Sequence, residues 1–409
     1  MTKNSTGINY NINRTFSIIL DSDGCSRVSI ASKLGLSKPV VSSMVDGLIK
    51  DNFVREGNYE DRNHVAGRKA IQLYPQEQLH FIVVVIWKEN SVSLMAVDIG
   101  SNERVCPINF DITVGMSENR DSNLGSELIS YTQKGIRIIN DVVGEKRILA
   151  ICIVLQGMID PSRETFISTP LQIERNEGTE IIKRLKQVFA NKLLGIFVDT
   201  ACLGYGEMVL HSRWNEKFAF VNMGDGIGAS LVLKGEILGG ASGSTTQFGH
   251  ICVHQNGPLC RCGARGCFEA CIGEHSLFDR YSSQISCEDE KCNNLTYEQL
   301  GKLAAEGSGW AIEAINELAD DFTIALRNLI AIAAPEYIIV GGHGINLGDI
   351  FLQRVKSHLH QMDFLFMADR VHIQYATEDK QTLLCTGAVR YMIDHYVNLS
   401  SPAPGVFLQ

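Results

Sequence analysis

A short cysteine-rich stretch constrains this chain more than any other feature. Residues Gly249–Glu269 read GHICVHQNGPLCRCGARGCFE and contain three closely spaced cysteines, Cys260, Cys262 and Cys267. A histidine, His250, lies ten positions before the first of them. Thiolate sulfur and imidazole nitrogen are the usual ligands of tetrahedral Zn²⁺, and three cysteines with one histidine are a common structural set. The sequence therefore predicts one zinc ion bound by these four side chains.

Spacing alone leaves two alternatives to this ligand set. His254 is close enough in sequence to replace His250 as the fourth ligand. The thiols could also be reduced structural cysteines without metal, since free cysteine is often buried. The C-x-C-x₄-C spacing with an upstream histidine favours metal. The flanking Cys252 and Cys271 lie in apolar surroundings, and we interpret both as core residues.

Cysteine content and the absence of a leader pattern predict a cellular compartment. Twelve cysteines in 409 residues, including a metal-type cluster, fit a reducing compartment better than a disulfide-linked secreted protein. The longest strongly apolar run, Leu79–Trp87, is too short to cross a bilayer. The N-terminus is polar and lacks the apolar segment of a signal peptide. We therefore expect a cytoplasmic protein with no membrane insertion.

Residues 1–75 carry a helix–turn–helix pattern. The predicted elements are a helix within residues 10–22, a second from Ser26 to Gly35, a third from Lys38 to Asp51, and two strands at Phe53–Gly57 and Ala70–Tyr74. Gly35 is suited to end a helix, and Ser37 is a good N-cap for the next one. Two helices joined by a short turn and followed by a two-stranded wing are typical of DNA-binding proteins. The sequence therefore predicts a winged helix-turn-helix.

The second helix of such a motif enters the major groove with its N-terminus first. The candidate DNA contacts are Ser37, Lys38, Pro39, Ser42 and Ser43 on that helix, with Arg68 and Lys69 in the wing loop. Residues 1–75 hold ten basic against seven acidic side chains, whereas the remainder holds 27 against 39. This weakly basic segment on an acidic body is consistent with an anion-binding module. A helical dimerisation domain with no role in DNA binding is the alternative.

The rest of the chain predicts an α/β fold. Three segments rich in Val, Ile and Phe open it, and strands alternating with helices follow. A similar opening recurs at Lys217–Leu233 around the glycine-rich turn Gly224–Gly228, which indicates two related halves. We expect a winged helix-turn-helix domain at residues 1–75, a two-lobed body at 76–398 containing the zinc site, and a loose C-terminal tail at 399–409.

The zinc stretch resembles the ROK family, named for repressors, open reading frames and kinases. Family members carry a GEIGH segment followed by C-x-C-G-x-x-G-C-x-E, and this chain has Gln247–His250 followed by Cys260–Glu269. The resemblance covers about residues 10–395 and is narrower to sugar-responsive repressors of the glucose, N-acetylglucosamine and xylose type. It implies two RNase H-like lobes related to actin and hexokinase. It also favours His250 over His254 as the zinc ligand.

The resemblance further implies a sugar site. Kinases of the family use an Asn-Asp pair, of which this chain retains Asp199 and has Val198 in place of the Asn. They also hold sugar hydroxyls with the Glu and His of GEIGH and with the Glu after the last cysteine. The matching residues here are Gln247, His250 and Glu269. The expected ligand-binding set is Asp199, Gln247, His250 and Glu269, with zinc fixing the ring of His250.

The nucleotide side departs further from the family pattern. Family kinases begin with an Asp-x-Gly-Gly-Thr loop, whereas this chain reads DIGSNE over Asp98–Glu103. The second glycine and the threonine are missing, and Glu103 adds negative charge where phosphates would bind. The turn Gly224–Gly228 is better preserved, although Asp225 is again acidic. We therefore expect no kinase activity or a vestigial one, with Asp199 as the remnant of a catalytic base.

Together these features predict a DNA-binding repressor of carbohydrate metabolism genes. The expected partners are operator DNA, a sugar or sugar-derived effector and, as in some family members, a sugar-transport protein. Because paired half-sites require paired binding domains, we expect a homodimer or homotetramer. An active sugar kinase is the first alternative. A regulator whose pocket no longer takes sugars is the second, since Gln156 stands where the family usually has Pro.

Overall fold

A computed structural model describes residues 6–59, 70–112, 124–239, 247–284, 295–361, 368–399 and 404–409. Two of the predicted DNA contacts, Arg68 and Lys69, lie outside the described residues. The chain divides into two compact units. Unit 1 comprises Met1–Cys202 and Cys385–Gln409, and unit 2 comprises Leu203–Leu384.

The helices and strands are numbered in chain order. The helices are α1 (Thr6–Leu20), α2 (Arg27–Leu34), α3 (Lys38–Lys50), α4 (Leu124–Val143), α5 (Arg175–Val188), α6 (Asp199–Leu210), α7 (Phe268–Ile272), α8 (Glu274–Tyr281), α9 (Tyr297–Ala305), α10 (Gly309–Ala333), α11 (Gly348–Gln361) and α12 (Lys380–His395). The strands are β1 (Val54–Tyr59), β2 (Ile71–Pro75), β3 (Phe81–Lys88), β4 (Ser91–Asp98), β5 (Arg104–Asp111), β6 (Ile148–Leu155), β7 (Met158–Asp160), β8 (Thr165–Ile167), β9 (Leu193–Val198), β10 (Lys217–Met223), β11 (Ile227–Leu233), β12 (Glu236–Ile237), β13 (Tyr337–Gly342), β14 (His372–Tyr375) and β15 (Gly405–Leu408).

Residues 6–59 form the three predicted helices around a small apolar core. Ser26 caps α2 by accepting a hydrogen bond from the backbone N–H of Ser29 at 3.2 Å. Gly35 ends this helix with φ 66°, in the left-handed region that glycine adopts most readily. Ser37 occupies the N-cap position of α3, but its side chain makes no capping hydrogen bond within the described residues. Strands β1 and β2 pair antiparallel after α3, as predicted for the wing.

Unit 1 also contains a six-stranded sheet in the order β15-β9-β6-β3-β4-β5. Strands β3, β4 and β5 are antiparallel neighbours, while β6, β9 and β15 run parallel to β3. The central strands are buried almost completely, as in Val83, Ile151 and Ile196. Parallel strands covered on both faces read as continuous apolar runs, which explains their sequences.

The C-terminal residues correct one expectation. We expected residues 399–409 to be a loose tail, yet Gly405–Leu408 forms the edge strand β15, parallel to Leu193–Ile196 of β9. The hydrogen bonds continue beyond the strand, because the backbone N–H of Val198 donates to the carbonyl of Gln409 at 3.0 Å. Phe407 stacks on Tyr396 with ring centroids 4.3 Å apart. The apolar GVFL stretch therefore pairs with the sheet.

Unit 2 repeats the same plan. Its five-stranded sheet has the order β12-β11-β10-β13-β14, with an antiparallel set of β10, β11 and β12 and parallel strands β13 and β14. The long helix α10 contributes a buried face that includes Leu318, Phe322 and Leu326. Both sheets open with an antiparallel meander and continue with parallel strands. The predicted α/β architecture, N-terminal helices followed by two sheet-containing lobes, is confirmed.

The predicted boundary after residue 75 falls between β2 and β3. The residues before it also contact the C-terminal part of unit 1, because the guanidinium of Arg390 on α12 lies 2.6 Å from the carboxylate of Asp21. Arg390 is almost fully buried, whereas Asp21 is exposed, so solvent screens this ion pair from one side. Among the described helices, none combines the length and the apolar character needed to cross a membrane.

Candidate metal centre and effector site

The four predicted zinc ligands lie together in unit 2. The ligand atoms of His250, Cys260, Cys262 and Cys267 are all within 4.8 Å of one another. Cys260 Sγ is 3.6 Å from His250 Nδ1, and Cys262 Sγ is 3.6 Å from Cys267 Sγ. Tetrahedral Zn²⁺ with bonds of about 2.3 Å to sulfur separates its ligand atoms by about 3.8 Å. Both the chemistry of the donors and their spacing therefore fit a tetrahedral zinc ion.

Backbone hydrogen bonds shape the loop that carries the thiols. The N–H of Cys260 donates to the carbonyl of Ala264 at 2.8 Å, and the N–H of Gly263 donates back to Cys260 at 2.9 Å. Gly266 has φ 70°, and a Cβ at this position would overlap the carbonyl oxygen of His254. Only glycine fits such a close backbone approach in the left-handed region. The glycines between the cysteines thus bring the sulfurs together.

The thiols differ in their environments. Burial raises the pKa of the Cys267 thiol to about 12, and burial also raises the pKa of Cys260. The backbone N–H of Ala264 lowers the pKa of the exposed Cys262 thiol. A bound cation would favour the thiolate form of all three, since metal coordination deprotonates thiols. Metal binding at this site would therefore release protons.

His254, the alternative fourth ligand, is engaged elsewhere. Its Nε2 lies 2.7 Å from a carboxylate oxygen of Asp321 on α10. The other oxygen of Asp321 accepts from Arg280 on α8 at 2.9 Å. The Asp321 side chain is only 8% exposed, so both partners compensate a buried charge. This network connects the metal loop to helices α8 and α10. No periodic pattern in the sequence predicts it, because its three residues are far apart along the chain.

The structure corrects the interpretation of Cys252 as a core residue. Cys252 is exposed, with its Sγ 3.9 Å from the carbonyl of Arg265, whereas Cys271 is buried as expected. The segment around Cys252 pairs as a short antiparallel ribbon with the segment around Cys267. Residue 252 therefore sits on the surface of this ribbon rather than in the core.

Glu269 lies against the glycine-rich turn of the same unit. Its Oε2 accepts a hydrogen bond from the backbone N–H of Ile227 at 2.9 Å, at the start of β11. Gly249 packs so closely on Ile227 that a Cβ would overlap the Ile227 carbonyl oxygen. The N–H of His250 donates to the carbonyl of Gln247 at 3.0 Å. Glu269 and the segment Gln247–His250 therefore lie next to each other at the start of β11, and His250 belongs to the cluster with the three thiols.

Asp199 belongs to unit 1 and follows β9 directly. It begins α6, is only 6% exposed, and accepts a hydrogen bond from the N–H of Thr200 at 2.7 Å. The neighbouring parallel strand β6 ends at Leu155, which pairs with Val198. Gln156 therefore stands beside Asp199 at the carboxyl edge of the sheet. Ligands of open α/β sheets bind at this edge.

The first predicted phosphate loop folds upon itself. The carboxylate of Asp98 accepts from the N–H of Gln78 at 3.0 Å, from the N–H of Ser101 at 3.0 Å and from the Ser101 hydroxyl at 2.7 Å. Asn102 donates to the Thr386 hydroxyl at 2.6 Å. Asp98 is 1% exposed, and its oxygens are committed to these internal bonds. The loop is built to hold a tight turn between β4 and β5.

A second polar group borders the glycine-rich turn and was not selected from the sequence. His343, in the GGHG segment that overlaps the end of β13, lies 2.6 Å from a carboxylate oxygen of the buried Glu274. The hydrogen bond to Glu274 raises the pKa of His343 above its ordinary value. His275 Nδ1 lies 2.7 Å from the carbonyl of Asp225. In the sequence, the GGHG motif is the feature that could have indicated this polar group.

A groove of about 570 Å³ follows the outer edge of β14. It is lined by Tyr337, Lys356, His360, Asp369 and residues of β14. His360 Nδ1 lies 3.2 Å from a carboxylate oxygen of Asp369 within this groove, and both side chains are exposed. None of the predicted site residues lines this groove, so it is separate from the candidate effector site.

Helix α3 presents most of its predicted DNA contacts to solvent. Ser37, Lys38, Pro39 and Ser43 are exposed, and Ser42 is half-buried. Val40 was not predicted, yet it is 47% exposed on the same turn. Arg27 is committed to ion pairs with Asp46 and Glu56 at 2.6 and 2.9 Å. The N-terminal turn of α3 is thus accessible along most of its surface.

The known proteins that resemble this chain are of two kinds, transcriptional regulators and sugar kinases. A xylose repressor from Caldicellulosiruptor bescii is 24% identical over 375 residues, covering 85% of this chain and 86% of that protein. The crystal structure of a ROK family transcriptional regulator, a homologue of the E. coli MLC protein, aligns with a TM-score of 0.78. It covers 95% of this chain and 96% of its own at 18% identity, which establishes the shared fold.

Solved structures of kinases resemble the body of this chain. The structure of a ROK family glucokinase from Streptomyces griseus, in complex with glucose and AMPPNP, aligns at 17% identity with a TM-score of 0.58. It covers 75% of this chain and 98% of the kinase, so its likeness concerns the fold of the body. The ROK family profile itself matches residues 124–390, well over half of the chain. This protein belongs to the ROK family.

Proposed function

We propose that this chain is a sugar-responsive transcriptional repressor that binds operator DNA through residues 1–75. The observation that carries the proposal is the accessible N-terminal turn of α3, next to a paired two-stranded wing. Relatives aligned over most of their length are xylose repressors, which supports the same conclusion. These alignments cover 85% and 93% of this chain, so they extend beyond the residues 124–390 that the family profile matches.

The DNA contacts follow from the chemistry of that turn. Lys38 is suited to phosphate, whose charge dominates the affinity of protein–DNA complexes. Ser42 and Ser43 can reach a phosphate or a base edge. Exposed Val40 is suited to the methyl group of thymine, an apolar contact that distinguishes this base in the major groove. Arg68 and Lys69 of the wing loop complete the proposed surface.

The proposed effector-binding residues are Gln247, His250 and Glu269 in unit 2 and Asp199 in unit 1. His250, Cys260, Cys262 and Cys267 would hold a zinc ion, which would fix the orientation of the His250 ring. The remaining nitrogen of that imidazole is then available to a ligand hydroxyl, with its ring orientation fixed. Glu269 keeps one carboxylate oxygen on the backbone of Ile227 and can offer the other to a sugar. The metal ligands and the sugar contacts thus share one side chain, His250.

Repression would respond to the sugar through a shift between two states of the body. A ligand that binds the DNA-incompetent state more tightly increases its population and releases the operator. A homodimer or homotetramer would place two winged domains on paired half-sites. Release by a sugar-transport protein is a second input of the same kind, since any partner that prefers one state shifts the equilibrium.

A residual kinase activity is the second candidate function. Buried Asp199 at the carboxyl edge of the sheet favours it, because this is where a general base for a sugar hydroxyl would be expected. The internal bonds of Asp98 weigh against it, since three hydrogen bonds from Gln78 and Ser101 already occupy most of the acceptor positions of this carboxylate. Val198 also lacks the amide that the family's Asn supplies. We therefore assign sensing, not phosphoryl transfer, to the site.

Operator binding against a sugar panel tests the proposal. Purified protein would be titrated onto DNA fragments from upstream of its own gene, at stated salt, with xylose, glucose and N-acetylglucosamine among the sugars. We expect tight specific binding that one sugar weakens at least tenfold. Binding indifferent to every sugar would remove the sugar from the proposal and leave a transport protein or another metabolite. Absence of specific binding, together with ATP-dependent turnover abolished by Asp199→Asn, would establish the kinase instead.

A further inference from the structure

Cys252 and the predicted zinc ligand Cys267 face each other across a two-stranded ribbon. The N–H of Val253 donates to the carbonyl of Gly266 at 2.9 Å, and the N–H of Phe268 donates to Ile251 at 2.8 Å. These two bonds flank the Cys252–Cys267 pair, which itself exchanges none. Such non-hydrogen-bonded pairs have the closest Cα atoms in antiparallel ribbons, about 4.5 Å apart, and their side chains project to one face.

That separation falls within the range a disulfide spans, roughly 4.4–6.8 Å between Cα atoms. Cys252 is exposed and does not belong to the four-residue metal cluster, whereas Cys267 is buried within it. We infer that Cys252 is a redox-active thiol that forms a disulfide with Cys267 and thereby expels the zinc ion. The inference rests on the proposed zinc site. It adds oxidation as a second signal that would regulate the protein independently of the sugar.

The chemistry requires a two-electron oxidant, which we name as hydrogen peroxide or an organic hydroperoxide. Peroxide oxidises the Cys252 thiol to a sulfenic acid and leaves as water. The Cys267 thiolate then attacks the Cys252 sulfur, the S–S bond forms, and the sulfenic oxygen takes up a proton and leaves as a second water. Two sulfurs lose one electron each, and Zn²⁺ departs without change of oxidation state because its site has lost a thiolate.

Cys252 is expected to react with the oxidant before the metal ligands do. A thiolate bound to zinc shares its electron pair with the cation, so it reacts more slowly than a free thiolate. Oxidation also follows exposure, which favours Cys252 over the buried Cys260 and Cys267. Cys262 is the competing partner, because it is exposed and its sulfur lies 3.6 Å from that of Cys267. The two pairings give different cross-linked peptides and can be distinguished.

Loss of zinc would also release His250. Its Nδ1 lies 3.6 Å from Cys260 Sγ, and its backbone adjoins Gln247 of the proposed effector set. Without the metal the imidazole is no longer fixed, so sugar binding would weaken. A reductant that restores both thiols would restore zinc binding and reverse the effect.

The test uses the full zinc-loaded protein, with Cys252→Ser as the variant and Cys106→Ser as the control. Cys106 is a half-exposed cysteine on β5 of unit 1 and has no place in the metal cluster. Zinc content is first measured on reduced protein, then zinc release during hydrogen peroxide treatment is followed with a chelating dye. Disulfides are mapped by mass spectrometry of unreduced peptides.

We expect about one zinc per chain at the start, release on oxidation, and a Cys252–Cys267 cross-link reversible by dithiothreitol. Release from Cys252→Ser should be several-fold slower, and release from Cys106→Ser should match the unchanged protein. Zinc lost equally fast from Cys252→Ser, or a cross-link confined to Cys262 and Cys267, overturns the inference and leaves the zinc site intact. Reduced protein that takes up no zinc overturns the zinc site, and this inference with it.

Discussion

The side-chain amide of Asn13 donates a hydrogen bond of 2.7 Å to the backbone carbonyl of Ile393, joining α1 to the last turn of α12. The same amide donates to the carbonyl of Val397 at 2.7 Å. Carbonyls at a helix C-terminus lack partners within the helix, so a donor from outside satisfies them. Asn13 is 6% exposed, and the bonds are shielded from water. Asn13 therefore attaches α1, which lies within the proposed DNA-binding residues 1–75, to the C-terminal end of α12.

Replacement of Asn13 by Ala should destabilise this attachment. The substitution leaves two carbonyls without their donor, and a buried unsatisfied group costs about 1–3 kcal/mol. We expect denaturant unfolding to shift to lower concentration by a corresponding amount. Asn11→Ala is the matched control, because Asn11 lies on the same helix and is only half-buried. Equal midpoints for the two variants would show that the bonds contribute nothing to stability.

Removal of one predicted zinc ligand should remove the metal. Cys262→Ser replaces a thiolate by a hydroxyl, which is a poor zinc ligand, and the remaining three donors leave the site open. We expect zinc content, measured by mass spectrometry of the metal after dialysis against a weak chelator, to fall from about one per chain to near zero. Cys106→Ser should retain full zinc. Full zinc content in Cys262→Ser would exclude this thiol from the ligand set.

The pH dependence of stability should show the burial of His80. Its ring stacks on Phe53 at 4.1 Å between centroids, with Nε2 3.2 Å from the Asp51 carbonyl, and burial lowers its pKa below 6.5. The folded state then favours neutral imidazole, so the unfolded chain takes up the proton first as the pH falls. Stability contributed by this group is present above about pH 6.5 and is lost as the pH falls through that value towards the folded pKa.

His80→Phe isolates this contribution, because it keeps a ring on Phe53 that cannot be protonated. The free energy of unfolding should fall less steeply from about pH 7 to about pH 5 in the variant than in the unchanged protein. His343 acts in the opposite sense: Glu274 raises its pKa, so its contribution is present below about pH 6.5 and is lost at higher pH. Parallel curves for the unchanged protein and the variant would contradict the role of His80.

Local signals predicted most of the fold, and particular residues show why. Gly35 and Ser26 marked the ends of α2 because capping is a property of a few neighbouring residues. The apolar strands were readable because buried parallel strands are continuously apolar. The tail was misjudged, since four residues of GVFL form a strand only when Leu193–Ile196 offers an edge to pair with. Pairing across two hundred residues leaves no local trace.

The candidate site was predictable where ligands cluster in sequence and not where partners are distant. His250 and the three cysteines lie within 18 residues, so their chemistry was visible. Asp321 holds His254 from 67 positions away, and its helix reads as ordinary amphipathic sequence. Cys252 was misread because its apolar neighbours concealed its place on the exposed face of a short ribbon.

Replacement of Lys38 by Ala should weaken DNA binding for every sequence alike. Lys38 is the first residue of α3 and is exposed, as a phosphate contact requires. Losing one such contact should reduce the slope of log K against log salt concentration by about 1. Lys50→Ala provides the control at the opposite end of the same helix, away from the turn that enters the groove. A salt slope unchanged by Lys38→Ala, with the loss confined to one base position, would make Lys38 a base-reading residue rather than a phosphate contact.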